Sequence, residues 1–139
     1  MRVFMKIAAG AGISLLAFLA YAVPVSLRAR EAAESLADEY YNRYNSGDAA
    51  YIHASLFSSG LREKTSLEGI TEARARTGRL VSRRPVAFKL LALDGSRLYS
   101  RFQAAYEKTS CEDQFYFRKE AGALKLEYFP NSGYPCKGG

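Results

Sequence analysis

The stretch AREAAESLADEYYNRYNSGD, residues 29–48, places apolar side chains at positions 29, 32, 33, 36, 37, 40, 41 and 44. Steps of three and four residues put them on one face of a helix, with Glu31, Glu34, Asp38 and Glu39 on the other. Asn45-Ser46-Gly47 ends the run, and Gly47 suits the left-handed residue that closes a helix. Asp48 then suits the N-cap of a short second helix, Ala49 to Phe57, closed by Ser58-Ser59-Gly60. A helix with so tyrosine-rich an apolar face needs a sheet or other helices to cover it.

Upstream of this helix, Arg2 and Lys6 precede an apolar run from Ile7 to Leu27, and Arg28 and Arg30 follow it. A run of ~20 apolar residues is enough to span a bilayer as a helix. Residues 1–27 therefore read as a signal peptide or a transmembrane anchor, and residues 28–139 as the exported domain. Ala20-Tyr21-Ala22 offers a small-x-small site for cleavage near Ala22. The continuation through Val23-Pro24-Val25 favours a retained anchor, and both alternatives stay open. Either way the domain is expected on the periplasmic side of a bacterial inner membrane. In that oxidising compartment the two cysteines, Cys111 and Cys136, are expected to form a disulfide that pins the tail Asn131–Gly139 to the sheet. With no Cys-x-x-Cys and a single histidine, no metal or cofactor site is predicted.

Downstream, Thr65 with Glu68 forms a capping-box pattern for a third helix from Ser66 to Thr77. Leu67, Ile70 and Ala73 or Arg74 would face inward, with Gly78 just past the end. The period then changes. Leu80 to Leu93 reads as an extended segment in which Pro85 marks an edge or a bulge. Asp94-Gly95 signals a hairpin. Arg97 to Lys108 alternates, with Leu98, Ser100, Phe102, Ala104 and Tyr106 on one face. A third strand covers Gln114–Lys119 and a fourth Ala123–Phe129, where Leu124, Leu126 and Tyr128 share a side. The expected fold is α+β: an N-terminal hydrophobic helix, then three helices packed on a curved antiparallel sheet of about four strands.

The chain has a formal net charge of +6, unevenly spread. From Arg28 to Asp48 there are three basic and five acidic residues; from Arg62 to Arg101 there are ten basic and four acidic. The basic middle suits anionic partners such as lipid head groups, or simply a solvated surface. An exported chain without a nucleic-acid motif is not expected to bind nucleic acid. Ten Tyr and eight Phe indicate a packed core rather than disorder.

The order of helices then strands resembles the nuclear transport factor two-like superfamily, also called SnoaL-like, over roughly Ala32 to Phe129. Three stretches carry the resemblance: Ala37–Asp48, the turn Arg76-Thr77-Gly78-Arg79-Leu80-Val81-Ser82-Arg83, and the hairpin from Phe115 to Leu126. The resemblance implies a cone-shaped fold whose long helix packs on the concave face of a bent sheet. It also implies a cavity, in whose enzymatic members an Asp, His or Tyr moves protons. Tyr40, Tyr44, Tyr51 and His53 would line such a pocket for a small apolar ligand. Glu107 and Asp113 are expected at the surface. No residue set compels a particular chemistry, and no catalytic residue is assigned. The expected function is a non-enzymatic binding or assembly module with a membrane or protein partner; the alternative is a small isomerase or hydrolyase acting on an apolar molecule. Oligomeric state stays open.

Overall fold

The structure is a computed structural model that describes the backbone of residues 2–131 and 136–138, with side chains for residues 15–17, 20, 21, 23–131 and 136. The N-terminal apolar run and the first amphipathic helix form one helix, α1, from Arg2 to Asn45, with Pro24 inside it. Its buried positions are Ala29, Ala33, Leu36, Ala37, Tyr40, Tyr41 and Tyr44, the face expected from the spacing except that Ala32 points outward. Gly47, at φ +74°, closes it, and the Asp48 amide reaches back to the Arg43 carbonyl at 3.0 Å. Asp48 caps the next turn through its own Oδ1, which accepts from the Tyr51 amide at 3.2 Å.

The expected second helix is only in part helical in the ordinary sense. α2 covers Ala49–Tyr51, and Ile52–Leu56 is a π-helical turn that buries Ile52 and Leu56. Ser58 does not merely close this segment. Its side chain caps a further helix, α3, Ser59–Lys64, that spacing had not suggested. α4, Leu67–Thr77, is capped by Ser66 accepting from the Gly69 amide, one residue later than the Thr65–Glu68 pattern implied. Ile70, Ala73 and Thr77 face inward while Leu67 is largely exposed, so the inward face is rotated from the one expected. Gly78 follows at φ +73°; a Cβ there would lie 2.8 Å from Glu107 Cβ, so both backbone and space demand glycine.

The strands β1 (Leu80–Leu90), β2 (Arg97–Tyr106), β3 (Thr109–Glu120) and β4 (Ala123–Leu126) form an antiparallel meander in the order β1-β2-β3-β4. A two-residue strand, β5, Lys137–Gly138, pairs with the start of β3, so the tail is tied to the sheet. Pro85 sits on the edge strand beside a register shift between Pro85 and Ala87, where a missing amide donor is tolerated. β3 begins five residues earlier than expected and β4 stops three earlier. At the other edge Phe57 bridges Leu126, the Ser58 amide donates to the Leu126 carbonyl at 2.8 Å, and Lys125 Nζ donates to the Ser55 carbonyl at 2.6 Å. The chain between helices thus covers the β4 edge.

α1 lies on the inner face of this sheet. Phe115 is the centre of the packing, with ring centroids 5.4–5.5 Å from Tyr40, Tyr41 and Phe102 and 5.8 Å from Phe117. Among the described residues no helix carries an apolar window long enough to cross a membrane. Much of the expected leader, with the side chains of residues 1–14, 18, 19 and 22, lies outside that description.

Candidate functional site

Where α1 crosses β2 and β3, a group of polar side chains closes on itself inside the core. Asp113 projects inward from β3 in phase with Cys111, Phe115 and Phe117. Its Oδ2 accepts from Tyr41 Oη at 2.6 Å and from Tyr106 Oη at 2.5 Å. Tyr106 Oη in turn accepts from Asn131 Nδ2 at 2.8 Å, and Asn131 Oδ1 accepts from Tyr40 Oη. Tyr44 Oη shares a hydrogen bond of 2.7 Å with Thr77 Oγ1 at the end of α4. Above this group the Arg83 guanidinium lies 4.6 Å from the Tyr41 ring centroid and 5.1 Å from that of Phe102, and it pairs with Asp38.

Asp113 is 1 % exposed, not on the surface as its sequence neighbourhood suggested. Burial holds its carboxyl at a pKa of about 6 against an ordinary 3.8, with the two phenol donors pulling the other way. Burial first, and the Asp113 charge second, raises the phenols of Tyr41 and Tyr106 well above 10.0, so they stay protonated and act as donors. Tyr40 is raised chiefly by burial, and Tyr44 is pushed up to about 12 for the same reason. Among the described residues Asp113 Oδ1 is buried without a hydrogen-bond partner. An acid with this pKa can exchange a proton near neutral pH. In the described structure, however, its neighbours enclose it and it faces no solvent.

The second consequence of this group is mechanical. Asn131 follows β4, and five residues later Cys136 bonds to Cys111, two residues from Asp113 on the same strand. The Cys111–Cys136 bridge expected from the sequence is present, with Cα atoms 4.1 Å apart. The tail is therefore held at Asn131 by tyrosines of α1 and β2, at Cys136 by the disulfide and at β5 by strand pairing.

The four residues expected to line a pocket are divided. Tyr40 and Tyr44 are stacked 5.7 Å apart within the core. Tyr44 also borders a cleft of about 70 Å³ with Ile52, Ile70 and Arg74, room for a water or two rather than the ~300 Å³ or more of a typical ligand site. Tyr51 is at the rim, its hydroxyl donating to Glu39 at 2.5 Å beneath the Arg43 guanidinium. His53 Nε2 donates to the carbonyl oxygens of Thr65, at 2.8 Å, and Arg62, at 3.2 Å. It ties the π-helical turn to the loop before α4, and among the described residues its hydrogen-bond partners are these two carbonyls and no carboxylate. Among the described residues no cluster of three or more His, Cys, Asp or Glu is placed to hold a metal ion.

Asp113, Tyr106 and Asn131 are the members that sequence reading missed. The signal lay in the alternation: extending the third strand back in steps of two from Phe115 reaches Asp113 and Cys111 in the inward phase.

The raised pKa has a testable sign. The folded state holds the Asp113 proton more tightly than the unfolded chain does, so its contribution is complete below about pH 4 and is lost as pH rises through about 6. A displacement of roughly two units corresponds to about 3 kcal/mol. Asp113→Asn keeps the shape and one acceptor and removes the titration. Urea midpoints of the two proteins should therefore diverge, the variant gaining up to about 3 kcal/mol on the parent between about pH 4 and pH 7. Parallel pH profiles would show that the carboxyl is hydrated rather than buried.

No family model and no curated protein matches this sequence. Among solved structures, the chain is similar to the solution structure of a SEC-C motif containing protein from Rhodopseudomonas palustris. The TM-score is 0.61 at 18 % identity, over 80 % of this chain and 88 % of that one. At that identity the similarity concerns the fold alone.

Proposed function

We propose that this chain is a non-enzymatic binding or assembly module of the nuclear transport factor two-like kind, displayed on the periplasmic side of the bacterial inner membrane and tethered there by the N-terminal part of α1. The observation that carries the reading is the continuity of α1. Among its described side chains the first buried one is Ala29, whereas Leu15, Leu16, Tyr21, Val23 and Leu27 upstream are all exposed. Apolar side chains left more than half exposed at these positions suit an apolar surround outside the domain. Two further observations support the reading. The disulfide fits an oxidising compartment. Two of the tyrosines that a hollow cone would use to line a pocket, Tyr40 and Tyr44, instead stack in the interior and hydrogen-bond to Asn131 and Thr77.

Flotation on a density gradient tests the tether. The intact chain should rise with vesicles of phosphatidylcholine and phosphatidylglycerol, and a chain lacking residues 1–27 should stay at the bottom. An intact, folded chain that remains in the soluble fraction would end this reading.

A second reading, a small isomerase or hydrolyase, is favoured by one observation: a buried carboxyl of pKa about 6 with an unpartnered oxygen, ringed by phenols. It requires the core to open so that a substrate reaches Asp113 Oδ1. Asp113→Asn would then abolish turnover of an apolar substrate while leaving the fold intact.

A further inference from the structure

The loop between β1 and β2 carries two leucines that the core does not use. Leu91 is 46 % exposed and Leu93 75 % exposed. The loop is not a loose excursion. The Leu91 and Ala92 amides both donate to the Arg97 carbonyl, at 2.9 and 3.2 Å, and Asp94 Oδ1 accepts from the Ser96 amide at 2.9 Å. Gly95, at φ +77°, brings the loop against α1: a Cβ there would lie 3.6 Å from Ala29 Cβ and 3.7 Å from Val25 Cγ1. The loop that carries the leucines thus meets α1, through Gly95, at the level where the helix's exposed apolar side chains end, at Leu27, and its buried ones begin, at Ala29.

Basic side chains cluster at the same end of the domain. Arg28 and Lys119 line the cleft beside this loop with Asp94 and Gly95. Lys89 lies one residue before the end of β1, and Arg97 and Arg118 face each other across β2 and β3. Asp94, Glu120 and Glu127 offset part of this charge, Glu120 sharing a cleft with Arg118 and Lys119, and Glu127 lying 3.6 Å from Arg97 and 3.4 Å from Arg118. Five cations against three carboxylates leave the rim positive. Exposed leucines inside a positive rim, beside a helix with apolar side chains on its surface, match the layered chemistry of an anionic bilayer: acyl chains below, phosphates above.

We propose that the Leu91–Leu93 loop is a second membrane contact, inserting its leucines at the acyl–headgroup boundary while Arg28, Lys89, Arg97, Arg118 and Lys119 meet lipid phosphates. The inference rests on the tethered reading above. It adds that the domain stands on the bilayer by this end of the sheet instead of hanging free from α1.

The chain contains no tryptophan, so one introduced residue is a clean reporter. Leu93→Trp and Val81→Trp are made in the intact chain. Val81 is a control of similar exposure, 69 %, near the start of β1 and nine residues from the strand's end at Leu90, about 30 Å at ~3.3 Å per residue. Both are reconstituted in phosphatidylcholine–phosphatidylglycerol vesicles whose acyl chains carry bromine. The expected result is blue-shifted emission and strong quenching for Trp at position 93, and neither at position 81. Flotation with the vesicles while both positions stay unquenched would overturn the loop contact and leave the tether standing. Failure to float would overturn the tether and the loop contact with it. An emission shift at position 93 that depends on protein concentration, without bromine quenching, would assign the leucines to a second copy or a protein partner and overturn the proposal.

Discussion

Phe115→Ala is expected to cost about 3–5 kcal/mol of stability, a large share of the ~5–15 kcal/mol that holds an ordinary domain folded. The ring is fully buried and touches aromatic side chains from α1, β2 and its own strand. Truncation removes the transfer energy of a whole phenyl group. It also leaves a void between Tyr40 and Tyr41, whose hydroxyls are committed to Asn131 and Asp113 and so restrain collapse. Phe115→Leu should recover most of the loss, because it conserves much of the volume. Chemical denaturation at fixed pH with the disulfide intact provides the measurement. A loss below about 1 kcal/mol for the alanine variant would mean that the helix–sheet contact closes elsewhere.

Replacing both cysteines, Cys111→Ser with Cys136→Ser, is expected to cost about 3.5 kcal/mol from loop closure alone for a bridge spanning 25 positions. The effect acts mainly on the unfolded chain. It should therefore appear as an upward shift in unfolding tendency with little change in the core's spectroscopic signature. Reduction of the parent protein should reproduce the double variant. Asn131→Ala tests the other hold on the tail. Its cost should differ in the presence and absence of the bridge, since the two restraints act on one segment. Equal stability of oxidised and reduced protein would show that the tail contributes nothing to the fold.

Much of the architecture was legible because its signals are local. The phase of α1, the glycines at 47 and 78, and the alternation of β2 each follow from side chains within a few residues of one another. What was not legible depends on partners far along the chain. A carboxylate in an inward strand position is tolerable only with donors, and those of Asp113 come from Tyr41, 72 residues away, and Tyr106. Without them Asp113 reads as a loop residue, and the strand is cut short at Gln114. α3 was hidden for another reason: six residues with one buried side chain, Leu61, show no period. His53, the obvious candidate for chemistry by residue type, is explained by two backbone carbonyls that only the folded loop presents. The expected pocket did not gather at one place because a π-helical turn begins directly after Tyr51 and contains His53, and it advances the chain at a different pitch from the helix assumed.

α1 is 44 residues long, about 66 Å at 1.5 Å per residue, and it stays helical from its exposed part to its buried part, with one backbone hydrogen bond removed at Pro24. A continuous helix couples the rotation of its two parts. Each residue advances the azimuth by about 100°, so the number of residues between any upstream reference point and Ala29 dictates the compass bearing of the sheet. One residue gained or lost there would turn the domain by more than a quarter circle without touching its core. The direction in which this domain faces is thus written as a phase, counted along the helix, and not as a contact.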